Sequence, residues 1–281
     1  VIVIMLVILA VVIIGLTGLF VAAMAGANIG LPFRFAEPAL ANRQTFNANE
    51  LDAIDISYNS ESITLLPSST GEVVLEEYMS NWEDDMLAQI NTSGGKLQIR
   101  SGRRNFGFMN FWNAKVYLYV PQEWLGDMRM ECTSGSIKTD HDWHFAGFDA
   151  RTSSGGIHME DLAADGNLSL QATRGGVHVR DLNAGDSLRL QSSSGWVSWD
   201  AAPPATSFYA KSTSGSVKGA RAIAPEVEAG ASSGGVGIKH VEGTLDRSST
   251  SRSVTGESRA ADWEASSSSG RAKMAQRELK G

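Results

Sequence analysis

Acidic side chains that could do chemistry recur in the middle of the 281-residue chain, at Glu160-Asp161, Asp181 and Asp200. Two carboxyl groups at a suitable separation supply the acid and the base or nucleophile in glycoside hydrolysis. The pattern therefore raises the hypothesis of a polysaccharide-active enzyme. Aspartate is also common in turns for purely local reasons. We favour that interpretation because the chain contains no nucleophile elbow, phosphate-binding loop or His-x-x-Glu-type metal motif.

Histidines suggest two further kinds of site. The segment Asp-His-Asp-Trp-His at residues 140–144 has side chains that can bind zinc. A structural zinc site needs four ligands and a supporting shell, so we interpret the segment as a solvated return loop and predict no metal and no cofactor. His158 and His178 occupy equivalent positions 20 residues apart, which predicts imidazole rings stacked about 4.8 Å apart. They form either a pH sensor or an exposed pair tolerated on a sheet face.

One stretch combines arginines with aromatic side chains between two predicted strands. Within residues 100–112 these are Arg100, Arg103, Arg104, Phe106, Phe108, Phe111 and Trp112. Such a combination suits an anionic, partly apolar surface. We name these residues the candidate docking surface, with anionic lipid, an envelope polymer or a membrane protein as the partner. The alternative is that the aromatic side chains fold back over the end of the neighbouring β-structure.

A sequence repeat positions the acidic residues and the histidines. The motif Thr-Ser-Gly-Ser-Ile at residues 133–137 returns in related form along the chain. Its bend glycines are Gly135, Gly155, Gly175, Gly195, Gly215, Gly234 and Gly270. The first five glycines are spaced by 20 residues, and a further copy carries Arg252 in place of glycine. A fixed period in this range indicates a repeat architecture. The replacement of the bend glycine by Arg252 predicts that the coil at this position is distorted.

Each repeat is predicted to form a strand, a bend, a second strand and a polar return. Apolar and polar residues alternate on both sides of the bend, as in Leu168-Ser169-Leu170, and this period of two is typical of strands. We expect the bend glycines to adopt a positive φ, which glycine does without penalty. Stacking of the repeats predicts an all-β fold, a β-solenoid of about eight coils of roughly 20 residues each. The cross-section is expected to have two or three sides.

The N-terminal part of the chain follows a different pattern. Residues 1–25 carry no charge and are almost wholly apolar, and about 20 such residues span a bilayer. We predict a transmembrane signal anchor over residues 1–26, with a cleaved signal peptide as the alternative. Residues 27–50 are predicted as a linker, residues 51–125 as an irregular β-module that caps the solenoid, and residues 126–281 as the solenoid repeats.

The charge and the cysteine content exclude some classes of function and of stabilising bond. The net charge of −7 and the isoelectric point near 5.3 argue against nucleic-acid binding, which needs a basic face. The single cysteine, Cys132, rules out an internal disulfide. We interpret Cys132 as a small buried hydrophobic residue rather than a nucleophile.

The chain resembles a known family in three features. These are the apolar N-terminal segment, a β-module ending in Val-Tyr-Leu-Tyr-Val-Pro at residues 116–121, and serial Ser-Gly-x-Ile/Val coils. Together they resemble the bacterial "putative adhesin" β-strand-repeat family, membrane-anchored proteins linked to cell-envelope stress. The resemblance covers roughly residues 50–275 and rests on structural motifs. The family has no established catalytic residues, so the resemblance implies none here.

The sequence therefore predicts a non-enzymatic, single-pass membrane protein with an extracytoplasmic β-solenoid. Its predicted role is adhesin-like binding or sensing at the bacterial cell envelope. Two alternatives stay open. One is a self-assembling envelope scaffold in which solenoids stack end to end, and the other is a polysaccharide-active β-helix enzyme.

Overall fold

The computed structural model describes residues 38–80, 82–103, 114–202, 205–249, 254–258, 263–267 and 272–276, with side chains as far as residue 242. These residues form strands and two short 3-10 helices, Ala48–Glu50 and Asp84–Met86. The strands before the first repeat are β1 (Ala39–Asn47), β2 (Ala53–Tyr58), β3 (Ser62–Pro67), β4 (Glu72–Met79), β5 (Gln89–Ser93), β6 (Lys96–Arg100) and β7 (Lys115–Val120).

The strands of the repeats follow in chain order. They are β8 (Asp127–Cys132), β9 (Ile137–Lys138), β10 (Trp143–Phe145), β11 (Gly147–Thr152), β12 (Ile157–Ala164), β13 (Leu168–Ala172), β14 (Val177–Ala184), β15 (Ser187–Ser192), β16 (Val197–Ala202), β17 (Ser207–Ser212), β18 (Val217–Ala231), β19 (Val236–Ser249), β20 (Val254–Ser258), β21 (Trp263–Ser267) and β22 (Ala272–Gln276).

The repeats wind into a parallel β-solenoid, as predicted. Strands before the bend pair in parallel from β8 through β11, β13, β15 and β17. Strands after the bend do the same from β9 through β12, β14, β16 and β18. The register places equivalent residues of successive repeats opposite one another, for example Ile157, Val177 and Val197. The apolar ladders expected from the sequence are therefore present.

Each turn has three sides. Along β12, inward and outward residues alternate from Ile157 to Glu160, but Glu160 and Asp161 are both partly exposed before Leu162 is buried again. Side chains of a regular strand alternate between its two faces, so two successive outward residues mark a corner. The Ser-Gly bend and the polar return form the other two corners.

The interior is a continuous apolar column. Inward residues of successive turns such as Leu170, Leu190 and Ala210 are all 0% exposed. Near its first turns the column is aromatic, because the ring of Phe145 stacks on Trp143 and Phe148 with centroid distances of 5.6 and 5.3 Å. One repeat alone could not bury such a row, so the stability of each turn depends on its neighbours.

The bend glycines are needed for a reason other than the predicted one. Among the described glycines, φ is positive only at Gly94 and Gly95, in the hairpin turn between β5 and β6, so the expectation of a positive φ at the bends is wrong. A Cβ on Gly175 would instead collide with the carbonyl oxygen of Gly155 in the preceding turn. The same crowding against a neighbouring carbonyl occurs at Gly135, Gly155, Gly195, Gly215 and Gly234. Gly270 lies outside the described residues.

A hydroxyl group joins the stacked bends in several turns. Ser192 Oγ donates to the carbonyl oxygen of Gly175 at 2.8 Å and accepts from the backbone N–H of Gly195 at 2.9 Å. Thr152 and Ser212 make the same pair of hydrogen bonds in their own turns. These side chains give hydrogen-bond partners to backbone groups that are buried or partly buried between two bends.

Cys132 occupies this bridging position in the first repeat. Its thiol donates to the carbonyl oxygen of Glu61 at 2.9 Å and accepts from the N–H of Gly135 at 3.0 Å. Burial raises the pKa of the thiol to about 11. Cys132 is therefore buried and protonated, in agreement with the sequence interpretation, and it also serves as a hydrogen-bonding bridge.

Turns of the same solenoid precede the repeats. Strand β2 pairs in parallel with β8, with Ile54 opposite Met128, and β3 pairs with β9, with Ile63 opposite Ile137. Strands β6 and β7 continue the two sheets by pairing in parallel with β2 and β3. The segment predicted as an irregular module therefore extends the solenoid, although it lacks the regular repeat.

Antiparallel strands border these N-terminal turns. Strand β5 pairs with β6, β4 pairs with β7, and β1 pairs with β4. Residues 39–47, within the segment predicted as a linker, thus form a strand of the sheet. The change to antiparallel pairing ends the stacking of equivalent turns at this side of the solenoid.

The solenoid makes about six turns, fewer than the eight coils expected from the repeat count. The last sequence copies contribute only five-residue strands, β20, β21 and β22. In the described part of the chain, no helix is long and apolar enough to cross a bilayer. The anchor predicted over residues 1–26 lies outside that part.

Candidate functional site

A line of polar side chains follows the outer face of the second side of the solenoid. Strands β9, β12, β14, β16 and β18 place its members opposite one another. The members, which we call the histidine row, are Lys138, His158, His178, Ser198 and Lys218. Because neighbouring strands lie about 4.8 Å apart, the row extends over roughly 19 Å along the solenoid.

The predicted stacking of the two histidines is confirmed. The ring centroids of His158 and His178 lie 4.8 Å apart, and the ring planes are inclined by 31°. His178 Nδ1 lies 2.7 Å from Ser198 Oγ, a hydrogen bond that holds the ring in place. His158 is exposed and His178 is half-buried, so both rings are accessible from the solvent side of the sheet.

An exposed tryptophan stands beside the row. Trp196 is 51% exposed, although large apolar side chains elsewhere in the repeats are mostly buried. Its indole lies over the backbone of Gly176, where a Cβ would meet the ring. The indole centroid is 5.7 Å from that of His178, and the planes meet at 61°. Glycine at position 176 therefore leaves space for the Trp196 indole, which lies at the bend next to the His178 imidazole.

A charged corner of the solenoid borders the row on its other side. Arg180 forms ion pairs with Glu160, with Asp161 at 3.1 Å and, at the limit of 4.0 Å, with Asp181. The Arg180 guanidinium holds the pKa of Asp161 below its ordinary value. A hydrogen bond with Asp161 raises the pKa of Asp142 in the preceding turn. Three of the four carboxylates singled out by the sequence thus belong to a network centred on one arginine, namely Glu160, Asp161 and Asp181.

The histidines of residues 140–144 form separate pairs. His141 Nδ1 lies 2.7 Å from Asp140 Oδ1, and His144 Nε2 lies 2.7 Å from Asp165 Oδ1. Trp143 is buried in strand β10 and donates from Nε1 to Thr139 Oγ1 at 2.7 Å. Within the described residues, no group of three or more His, Cys, Asp or Glu side chains is arranged to hold a metal ion.

The candidate docking surface is described only at its beginning. Arg100 donates to both carboxylate oxygens of Asp55, at 2.9 and 3.0 Å. Arg103 Nη1 lies 3.5 Å from Asp85 Oδ2. Two arginines of this surface are therefore engaged by carboxylates of the chain itself. Its other members, Arg104, Phe106, Phe108, Phe111 and Trp112, lie outside the described residues.

Sequence reasoning did not connect Trp196 or the two lysines with the histidines. A signal for Trp196 was present in the repeat alignment. The residue after the bend glycine is small in the neighbouring copies, namely Ser136, Gly156, Gly176, Ser216 and Gly235. A single tryptophan at this position departs from the pattern, and the structure shows that it lies next to the stacked histidines.

The fold and the surface together define a class of protein. The chain is a three-sided parallel β-solenoid that carries the histidine row on its second side and the exposed Trp196 beside it. The Toastrack DUF4097 model matches residues 51–280, and the chain belongs to this family. The resemblance to the "putative adhesin" family that the sequence indicated is thereby confirmed.

Solved structures share the fold at low sequence identity. A "putative adhesin" from Parabacteroides distasonis ATCC 8503 has a TM-score of 0.56 and 11% identity, covering 84% of this chain and 96% of that chain. A "putative adhesin" from Parabacteroides merdae ATCC 43184 has a TM-score of 0.54 and 13% identity, with the same coverage of 84% and 96%. A "putative lipid binding protein" from Parabacteroides distasonis ATCC 8503 has a TM-score of 0.50 and 14% identity, covering 85% and 98%. No curated protein matches the sequence.

Proposed function

We propose that the protein is a non-enzymatic, adhesin-like binding protein of the bacterial cell envelope. The observation that carries the proposal is the histidine row with Trp196 at its side. An exposed indole beside polar and basic groups is the composition of a recognition surface, because aromatic side chains supply contact area while neighbouring polar groups orient the ligand. The flat side on which the row lies suits an extended ligand lying along the solenoid.

The ion pairs of Arg180 argue against a catalytic role for Glu160 and Asp161. A carboxyl group that acts as a general acid near neutral pH needs a raised pKa. Asp161 has the opposite shift, because Arg180 favours its ionised form. Arg180 also pairs with Glu160, so these two carboxylates serve as partners of one cation.

The proposal places the solenoid outside the cytoplasm on a single membrane anchor. The support is the uncharged apolar segment at residues 1–25, which is long enough to span a bilayer. Two proteins of similar fold are described as adhesins, which agrees with a binding role at the cell surface.

The test is binding of the full chain, kept in solution with a non-ionic detergent, to isolated cell-wall and membrane fractions. We expect the wild type to bind an envelope fraction and Trp196→Ala to lose most of that binding at an unchanged melting temperature. Trp82→Ala is the matched control, because Trp82 is also exposed, at 41%, but lies outside the row. Binding that is absent, or equal in wild type and Trp196→Ala, would overturn the proposal. Release of soluble glycan would favour the enzyme alternative.

A second candidate partner is an anionic membrane surface, contacted by residues 100–112. Arg104 and the aromatic residues of that stretch favour it, and one protein of similar fold is described as lipid-binding. We expect residues 37–281, which form a compact unit without the proposed anchor, to co-sediment with anionic vesicles. The same unit with Phe108 and Trp112 changed to Ser should lose co-sedimentation while its melting temperature stays the same. High salt should weaken wild-type binding. A large drop in melting temperature would assign the aromatic residues to the fold and remove this candidate.

A further inference from the structure

We propose that the histidine row binds a linear acidic polysaccharide and that this binding strengthens as the pH falls. The inference rests on the proposed function, since it names the ligand of the same surface. Its basis is the combination of three features: two stacked imidazoles, a lysine at each end of the row, and an exposed indole beside it.

The geometry favours a linear polymer. Parallel strands in register repeat along one axis, so the groups of the row follow a straight line with regular spacing. A chain of linked sugars can lie along such a line and contact several turns at once. Many weak contacts then add up without an enclosed pocket.

The indole of Trp196 favours a sugar over a simple anion. A sugar ring presents one apolar C–H face, and the exposed flat surface of Trp196 is suited to cover it. The backbone of Gly176 supports the indole from below, and His178 borders it at 61°. The ring is therefore held in one orientation before a ligand arrives, which limits the entropy lost on binding.

The lysines favour an acidic polymer. Lys138 and Lys218 are both exposed, at opposite ends of the row. Arg180, on the neighbouring corner, is already surrounded by carboxylates. Within the described residues, neither lysine takes part in an ion pair. The lysines can therefore attract acidic groups of a ligand, whereas the charge of Arg180 is already compensated.

The stacked histidines couple binding to pH. Protonation of both rings in the free protein would place two positive charges 4.8 Å apart. The other groups facing them are Lys138 from β9, Ser198 from β16, Trp196 at the bend, and Glu160 and Arg180 farther along their own strands. Negative groups of a bound polymer would favour the protonated rings, so binding takes up protons. Affinity is then greatest at low pH and decreases as the pH rises.

Calorimetric titration of the full chain in non-ionic detergent tests the ligand class. The probes are polygalacturonate, its carboxyl-reduced neutral form and polyglutamate, which carries carboxylates without sugar. We expect polygalacturonate to bind about tenfold more tightly at pH 5.5 than at pH 8. The neutral polymer and polyglutamate should each bind at least about tenfold more weakly at pH 5.5. Titrations at pH 6.5 in two buffers of different ionisation enthalpy should show net proton uptake.

Three variants test the assigned roles. Replacing His158 and His178 together by Asn should abolish the pH dependence, whereas His144→Asn, outside the row, should retain it. Trp196→Ala should weaken polygalacturonate binding at both pH values. A wild-type affinity that does not change with pH, or a double variant that behaves as wild type, would overturn the inference.

The outcomes separate this inference from the proposed function. If an envelope fraction binds in a Trp196-dependent manner but polygalacturonate does not bind, the inference is wrong and the proposed function stands. If neither binds, both are wrong. If polyglutamate binds as tightly as polygalacturonate, the surface recognises charge alone and the polysaccharide assignment is wrong.

Discussion

The turns made by the repeats and the turns that precede them share one register but are held together differently. In the repeats, equivalent residues stack on one another, and the contacts of one turn recur in the next, as for Val177, Val197 and Val217. The N-terminal turns also stack apolar residues in register, such as Ile54 and Leu97, but add individually placed polar contacts. Repetition thus gives each turn of the repeats the same contacts as its neighbours, whereas the N-terminal turns depend in addition on a few particular polar side chains.

Two buried carboxylates illustrate the N-terminal arrangement. Glu77 is 0% exposed and accepts hydrogen bonds from Tyr58 Oη, Asn42 Nδ2 and the N–H of Ala88, at 2.9, 2.8 and 2.8 Å. Asp55 is only 6% exposed and is paired with Arg100. Such buried charges are tolerated only where their hydrogen bonds are satisfied. The two regions should therefore respond differently to substitution.

The largest effect is expected from Val197→Asp. Val197 is 0% exposed and lies between Val177 and Val217, so the new carboxylate would be buried without a partner. We expect a loss of about 3–5 kcal/mol in the free energy of unfolding. Amide hydrogen exchange should show weakened protection in the neighbouring turns as well. Lys138→Asp, at an exposed position, should change stability by less than about 0.5 kcal/mol. Similar losses in both variants would contradict the ladder arrangement.

Gly175→Val should have the next largest effect. The new side chain would collide with the carbonyl oxygen of Gly155, and we expect a loss of about 3 kcal/mol, measured by chemical denaturation. Ser187→Val replaces an outward residue that hydrogen-bonds to Asn167 at the surface, so the loss there should stay below about 1 kcal/mol. Equal denaturation midpoints for the two variants would disprove the close contact between Gly175 and the carbonyl oxygen of Gly155.

A smaller pair of effects tests the bridging hydroxyl groups. Ser192→Ala removes the link between Gly175 and Gly195 and should cost about 1–2 kcal/mol, because buried backbone groups lose a partner. Ala172 lies in register with Thr152 and Ser192 but has no hydroxyl. Ala172→Ser should therefore stabilise the protein by about 1 kcal/mol. If the melting temperatures of both variants shift in the same direction, the hydroxyl group at this position does not stabilise the stacked bends.

The smallest effect concerns Asp55 and depends on pH. The hydrogen bond from Arg100 lowers the pKa of Asp55 in the folded protein. A carboxyl group whose pKa is lower in the folded than in the unfolded protein stabilises the fold at pH values above its unfolded pKa, which is about 3.9 for Asp. This stabilisation is lost as the pH falls through the pKa of the folded protein. We expect Asp55→Asn to cost about 1 kcal/mol at pH 7 and less at pH 3.

The control for this titration lies on the repeats. Asp149, on the same outer face, pairs with Arg151 at 2.9 Å between partly exposed side chains. Asp149→Asn should therefore change stability little at either pH, because solvent screens such pairs. If the two variants show the same pH profile, the N-terminal turns do not depend on the Asp55 pair.

The sequence was most informative where contacts repeat. A shift of 20 residues along the chain corresponds to one turn of the solenoid, so the alignment of copies predicted which residues stack. The stacking of His158 and His178 followed from that rule without any knowledge of the cross-section. The position of Trp196 did not follow, because the direction of one large side chain depends on the space left by Gly176 in the preceding turn.

The sequence by itself determined the strands, the bends, the apolar ladders and the order in which the repeats stack, because neighbours in a solenoid are equivalent residues of adjacent copies. Tertiary structure alone decided that β2 and β3 form a turn beneath β8 and β9, since those strands are distant in sequence and share no period. The tertiary structure also creates the requirement for glycine at the bends. The reason is the carbonyl oxygen of the neighbouring turn, and a contact between two turns cannot be deduced from the local sequence of either one.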